Sequence, residues 1–387
     1  MEKFYNGVNR KNTNCIKWDL VEDCENDILP FSIADSDYPT CDSVLEALEK
    51  RIKEGAFGYT IIDDEYYLNI QNWFKERHNY EIKKEWILPS PGVVTALYLA
   101  VKLFTKENAE VIVSNPVYNP FFDVIRNNGR KLSLNKLIKK DNTYEIDFDD
   151  LEEKMKTAEM YIFCNPHNPV GRCWKKEEVE KVVSLCKKYD VILVSDEIHC
   201  DLIMEDNKFY SLGHYLDEFD NLIICTAPSK TFNIAGLQDA NIIIKNKKYF
   251  DAISKQLNDM SVGRPNLLAL TACKAAYGGG KEWADMQNKY LTEQRDIAYK
   301  FFEEKIPNAL VTKLEGTYLM WIDMGFLKLP QEELISGLRK SGIIVNCGTT
   351  YCQDYIGYIR LNIACPREQL LKGLDRIYNF VLSKIGE

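Results

Sequence analysis

The sequence predicts an α/β chain: a large domain with a mainly parallel sheet sandwiched by helices, plus a smaller α+β domain. Three observations predict it. Short apolar runs rich in Val and Ile recur through the middle of the chain. Stretches with helical spacing separate several of them, the alternation that builds a parallel sheet covered on both faces. After three consecutive glycines, Gly278 to Gly280, the pattern changes to long helices and isolated strands.

Taken in order, SPGVVTALYLAV sets Ser90, Pro91 and Gly92 ahead of an apolar helix. The runs EVIVSNP, MYIFCNP, VILVSDE, NLIICTAPS and ANIIIK, near Val111, Ile162, Leu193, Ile223 and Ile242, read as buried strands. KKEEVEKVVSLCKKYD carries Val179, Val182, Val183, Leu185 and Cys186 as a stripe at helical spacing. The glycine run reads as a flexible break. Beyond it follow a helix from Glu282 to about Lys305, a strand GTYLMWIDM, a helix PQEELISGLRKSG, strands IIVNCG and YIRLNIA, and a final helix PREQLLKGLDRIYNFVLSKI. The expected division is a large domain over 46–279, with 1–45 and 280–387 forming the smaller one.

At 387 residues and 45% hydrophobic content, the chain holds more apolar material than most single cores use. Its net charge of −9 is spread among interspersed acids and bases, which argues against nucleic acid as a partner. The pairs Lys139-Lys140 and Lys187-Lys188 are isolated and read as solvated faces. The opening MEKFYNGVNRKNTN has no apolar core of a secretory signal, and no run approaches bilayer length, so no membrane partner and a cytoplasmic location are expected. The twelve cysteines form no C-x-x-C pair, and Cys164 and Cys225 sit inside apolar runs, as free thiols in a reducing compartment do. Four histidines without an H-E-x-x-H motif or a Cys/His cluster predict no metal site.

Ligands of parallel α/β sheets bind at the carboxyl ends of the strands. The residues just after the apolar runs are Asn115 and Tyr118, then His167 and Asn168, then Asp196 and His199, then Lys230. A small-residue turn at Gly92 opening a helix adds unpaired N–H groups suited to a phosphate. Each piece has an ordinary reading. A loop lysine is usually solvated, Asp196 fits a helix cap or turn, Asn168 before Pro169 fits a turn, Tyr118 fits a core, and Gly92 fits a turn glycine. Their joint placement at strand ends and one helix start is what distinguishes them. An amine to hold an aldehyde, a carboxylate to keep a ring nitrogen protonated, a donor for a phenolic oxygen, a stacking ring and a helix start are the needs of pyridoxal 5'-phosphate.

With NPHNPVGR (165–172), SDEIH (195–199) and SKTFNIAGLQ (229–238), the sequence resembles the fold-type I aminotransferase superfamily over nearly the whole chain. SIADSDYPT, FGYT (57–60), SPGVVTAL, PVYNPF, DEIHCDL and YIRLNIACPR make it most similar to the cystathionine β-lyase branch, the bacterial C–S lyases. The resemblance implies the fold-type I transferase fold and pyridoxal 5'-phosphate as cofactor. It casts Lys230 as the Schiff-base lysine and proton shuttle, Asp196 as partner of the pyridine nitrogen, Asn168 as donor to the phenolic oxygen, and Tyr118 as the stacking ring. Backbone N–H groups of Val93 and Val94, with Ser229, hold the phosphate in that scheme. Tyr59 reaches the neighbouring subunit's phosphate in a homodimer, and Arg360 clamps the substrate carboxylate. Where aminotransferases commonly place a phosphate-binding arginine, this chain has Gln238. His199 stands where tyrosine is commoner, either at the cofactor's phenolic side or as a structural histidine. The implied activity is carbon–sulfur β-elimination from L-cystathionine, cysteine or related S-conjugates to thiol, pyruvate and ammonia. An aminotransferase on the same scaffold and a regulatory protein-binding role remain as alternatives.

Overall fold

The computed structural model describes residues 1–19 and 27–386. Its largest sheet has seven strands in the order 87–90, 240–243, 222–226, 192–196, 160–164, 110–115, 131–136. Pairing is parallel from 222–226 outward to 131–136. The strand Ala240–Ile243 alone runs against both of its neighbours. All five strands expected from the apolar runs are present. Their side chains alternate between two cores: Val111, Val113, Ile162 and Val194 pack on one face with helix Val93–Phe104, while Ile112, Tyr161, Phe163 and Leu193 join the core on the other. Burial on both faces is why these segments read as unbroken apolar runs rather than as alternation.

Two strands of this sheet escaped the reading because both lie at its edges. Lys131–Lys136 keeps four charged or polar residues on a half-solvated strand. Ile87–Ser90 contains Pro89, which an edge strand tolerates.

The second sheet joins 310–311, 319–323, 358–362 and 346–347, all antiparallel. The stretch IIVNCG is not one strand. Ile343–Ile344 pairs in parallel with Leu29–Pro30 of the N-terminal segment, and after the buried Val345 the chain turns to the second sheet as Asn346–Cys347. The core on one face of the large sheet continues without interruption to Leu319, Trp321, Ile359 and Leu361.

The three glycines are not a flexible break. Helix Leu267–Gly279 runs through two of them, and helix Lys281–Lys305 starts after Gly280. A Cβ at Gly278 meets Asn69 Nδ2 at 2.6 Å, and one at Gly280 meets Phe232 Cε1 at 2.2 Å. The glycines are there because neighbouring elements approach too closely for side chains. The eleven described cysteines are free. Among the described residues no helix is long and apolar enough to cross a membrane.

Candidate active site

Strand Leu222–Thr226 ends in Ala227 and Pro228, and the chain then folds back on itself. Phe232 N–H donates to Pro228 C=O at 2.9 Å and Ile234 N–H to Ser229 C=O at 3.1 Å. This turn puts Lys230 on the wall of a cavity of about 210 Å³. Its Nζ donates to Ala34 C=O at 2.7 Å, a carbonyl of the N-terminal segment. Burial lowers the amine's pKa; the charge of Asp35 opposes this, that of Arg360 adds to it, and that of Asp196 opposes it.

Strand Ile192–Asp196 ends at the same edge. The buried Asp196 carboxylate lines the cavity and accepts one hydrogen bond, from Ile198 N–H at 3.1 Å. Burial pushes it up to about 7, against the opposing influence of that N–H and of Lys230. A buried carboxyl with so little support is positioned for a cation. His199, three residues on, is buried with no partner on Nδ1, and its ring meets Tyr318 edge-on at 5.9 Å. Burial, then the charges of Lys230 and Arg360, hold it well below the ordinary histidine range, so it is neutral.

Asn168, after strand Met160–Cys164, accepts Arg360 NH1 on Oδ1 at 3.0 Å, which leaves its NH₂ as the polar group to offer. Arg360 comes from Tyr358–Asn362 in the second sheet and is buried. Its other bonds go to Ser32 C=O at 2.7 Å and Asn346 Oδ1 at 2.9 Å, its plane lies over Tyr351 at 5.1 Å, and its Nε has no partner. No carboxylate pairs with it among the described residues. A buried guanidinium held only by neutral acceptors invites an anion.

Tyr118 lines the cavity between these groups. At the other end stands helix Val93–Phe104, whose Gly92 cap provides no side-chain bond and whose first turn holds no acid. Gly92, Val93, Val94 and Ser229 line this end, and a Cβ on Gly92 would enter open space. First-turn N–H groups facing a cavity suit an anion. The cavity therefore fits pyridoxal 5'-phosphate on its own observations: an amine, a carboxyl lacking a cation, a partnerless imidazole, and an uncapped helix start.

Arg360 does not itself line the cavity but bonds to Asn168, which does, and Tyr59 is the expected site residue that this chain leaves away from it altogether. It stands fully exposed beside a second cavity, with Phe57, Arg264 and Asn266. Two groups on the first cavity escape sequence reasoning, Ala34 and Asp239. Ala34 acts through a backbone carbonyl, which no residue type announces. Gln238, standing where a phosphate-binding arginine is common, does line the cavity. Asp239, buried and raised to about 7 by burial, sits beside Tyr66, and its signal was a charge placed directly before an apolar strand.

The sequence is 38% identical over 374 residues to cystathionine beta-lyase PatB of Bacillus subtilis (strain 168), covering 95% of this chain and 97% of that protein. The fold superposes on cystalysin from Treponema denticola, which contains a pyridoxal 5'-phosphate cofactor, with a TM-score of 0.95, 36% identity and 98% of each chain covered. It also superposes on the PLP-bound C–S lyase of Staphylococcus hominis with a TM-score of 0.91, 31% identity and 98% of each chain covered. The family model for aminotransferase class I and II matches residues 26–377, and with the lysine, carboxylate and helix start in place around one cavity, the chain belongs to that family.

Proposed function

We propose that this chain is a pyridoxal-phosphate-dependent carbon–sulfur lyase that eliminates the β-sulfur of an amino acid, with L-cystathionine, cysteine or related S-conjugates as substrates. The observation that carries the reading is Lys230: an amine with a lowered pKa lining the same cavity as the buried Asp196 carboxyl. The relatives named as lyases support the reaction class.

When bound, pyridoxal phosphate supplies an aldehyde that condenses with amines and a protonated ring that accepts electron density from the substrate α-carbon. Asp196 would hold the ring-nitrogen proton, Tyr118 would stack on the ring, and the Asn168 amide and His199 would serve the phenolic oxygen. Val93 and Val94 N–H groups with Ser229 would hold the phosphate. Arg360 exchanges a neutral acceptor for the substrate carboxylate and so orients the α-carbon. Lys230 takes the α-proton, a role its depressed pKa serves by keeping more of the amine unprotonated near neutral pH. Overall, one Cβ–S bond breaks with its electron pair leaving on sulfur, one water is consumed, and thiol, pyruvate and ammonia are released.

The same reading includes a homodimer in which Tyr59 completes the neighbour's phosphate site, a working division into 46–279 and 1–45 with 280–387, and a cytoplasmic location. Exposed Phe57, Tyr59 and Ile61 on one short segment support the dimer. The test mixes purified protein with L-cystathionine and follows absorbance and pyruvate together. A lysine-dependent visible band with pyruvate and thiol release is expected. A band without pyruvate, converting to the pyridoxamine form with an amino acid, makes the chain an aminotransferase instead. No thiol from any sulfur amino acid overturns the lyase reading.

A further inference from the structure

The motif DEIHCDL contributes Asp196 and His199 to the cavity, but its last acid, Asp201, lies outside it. Asp201 is buried at 2% exposure and is the most heavily engaged carboxylate near the site. Its Oδ1 accepts Trp73 Nε1–H at 3.0 Å and binds His78 Nε2 at 2.8 Å, with Arg77 Nε at 3.4 Å. Its Oδ2 accepts the hydroxyl of Thr231 at 3.1 Å, and its backbone carbonyl accepts Asn288 Nδ2 at 2.8 Å.

His78, Cys200 and Asp201 offer ligand atoms within 4.8 Å of one another, the spacing of a metal site. The surroundings reject a cation. Arg77 already stands against Oδ1, and N–H and O–H donors occupy both carboxylate oxygens. Burial pushes the Asp201 carboxyl up, but the hydrogen bond and charge of His78, with Arg77 and the Trp73 N–H, more than offset this and hold it below the usual range. It is a charged hydrogen-bond hub.

What the hub joins gives it a purpose. Thr231 is the residue after Lys230 and is buried. The turn bearing Asp201 begins at Asp196 and is closed by Cys200 N–H to Glu197 C=O and Leu202 N–H to His199 C=O. Both turns are fixed in turn to helix Asp64–His78, through Trp73 and His78 on one side and a Trp73–Phe232 ring contact at 5.6 Å on the other. We propose that Asp201 is a positioning residue: through the Thr231 hydroxyl it clamps the Lys230 turn to the turn that carries Asp196 and His199, and so sets the amine against the carboxylate.

The inference rests on the lyase reading of this site. Its test uses the holoenzyme of Thr231→Val, which keeps the shape and removes the hydroxyl, with Thr231→Ser as the conservative rescue. Misplacing a reacting group by a fraction of an ångström to one ångström costs on the order of 10-fold to 100-fold in rate. For Thr231→Val, kcat should fall about 10-fold or more while KM moves less than about threefold. The pH midpoint of the lysine-bound cofactor's absorbance should also shift, because the amine has moved relative to its charged neighbours. Thr231→Ser should restore both. Wild-type kcat and midpoint in Thr231→Val overturn the inference, as does an equal loss in Val and Ser variants, which reports packing alone. Wild-type protein with no lysine-dependent band overturns the lyase reading itself, and this inference with it.

Discussion

Lys230 and Asp196 are each uncomfortable in the folded chain, and that discomfort is measurable. Burial raises Asp196 from 3.8 to about 7, so between these values the folded cofactor-free protein holds a proton the unfolded chain has released. Its stability contribution is fully present below 3.8 and lost as pH rises through about 7. Asp196→Asn should therefore stabilise the cofactor-free protein, by about 3 kcal/mol more at pH 8 than at pH 5. Urea unfolding at the two pH values checks this, and equal gains at both would refute it. The same substitution should cost at least about 100-fold in activity, since a neutral amide cannot keep a ring nitrogen protonated. Lys230→Ala removes the cavity amine and should lower pyruvate and thiol release by about 10³-fold or more. At this scale the sequence was most informative where a residue's chemistry is its side chain. Lys230, Asp196, Asn168 and Tyr118 could be picked out because strand ends converge. The Ala34 carbonyl that holds the amine and the reach of Asp201 to Thr231 depend on contacts between segments far apart in the chain, which no local pattern encodes.

The elements that place the site follow from burial. Strands covered on both faces left apolar runs, while the edge strands 87–90 and 131–136 did not, because half of each faces water or carries a proline. The glycines at 278–280 misled for the opposite reason, since a residue used for close packing looks the same in sequence as one used for flexibility. Helix Val93–Phe104 gives a prediction of its own. Val94 is partly exposed at its first turn and lines the cavity. In Val94→Asp the new carboxylate would sit at the positive helix end, stabilising the cofactor-free protein by about 0.3–1 kcal/mol. It would also repel the incoming phosphate and weaken cofactor binding by about 10-fold or more. Thermal melting without cofactor and a fluorescence titration with it should move in opposite directions; a parallel fall in both would place the phosphate elsewhere.

For the whole molecule, the consequential residue is the one that stays outside. Tyr59 is fully exposed in one chain although it heads an apolar stretch. If it serves a neighbour's site, Tyr59→Ala and Lys230→Ala should each be nearly inactive as pure proteins. Unfolded together in equal amounts and refolded, they should regain about one quarter of wild-type activity, because half the dimers are mixed and each mixed dimer carries one intact site. No recovery in refolded, dimeric mixtures would confine each site to its own chain. One feature of the large sheet bears on how such a site is kept ready. Thr226 and Asn241 face each other across adjacent, oppositely directed strands, so the excursion that carries Lys230 leaves and re-enters the sheet at the same rung. With both ends tied to one rung, the entropy cost of closing this loop is already met by the sheet. The amine is thus placed by folding itself, and an arriving cofactor meets a geometry it did not have to organise.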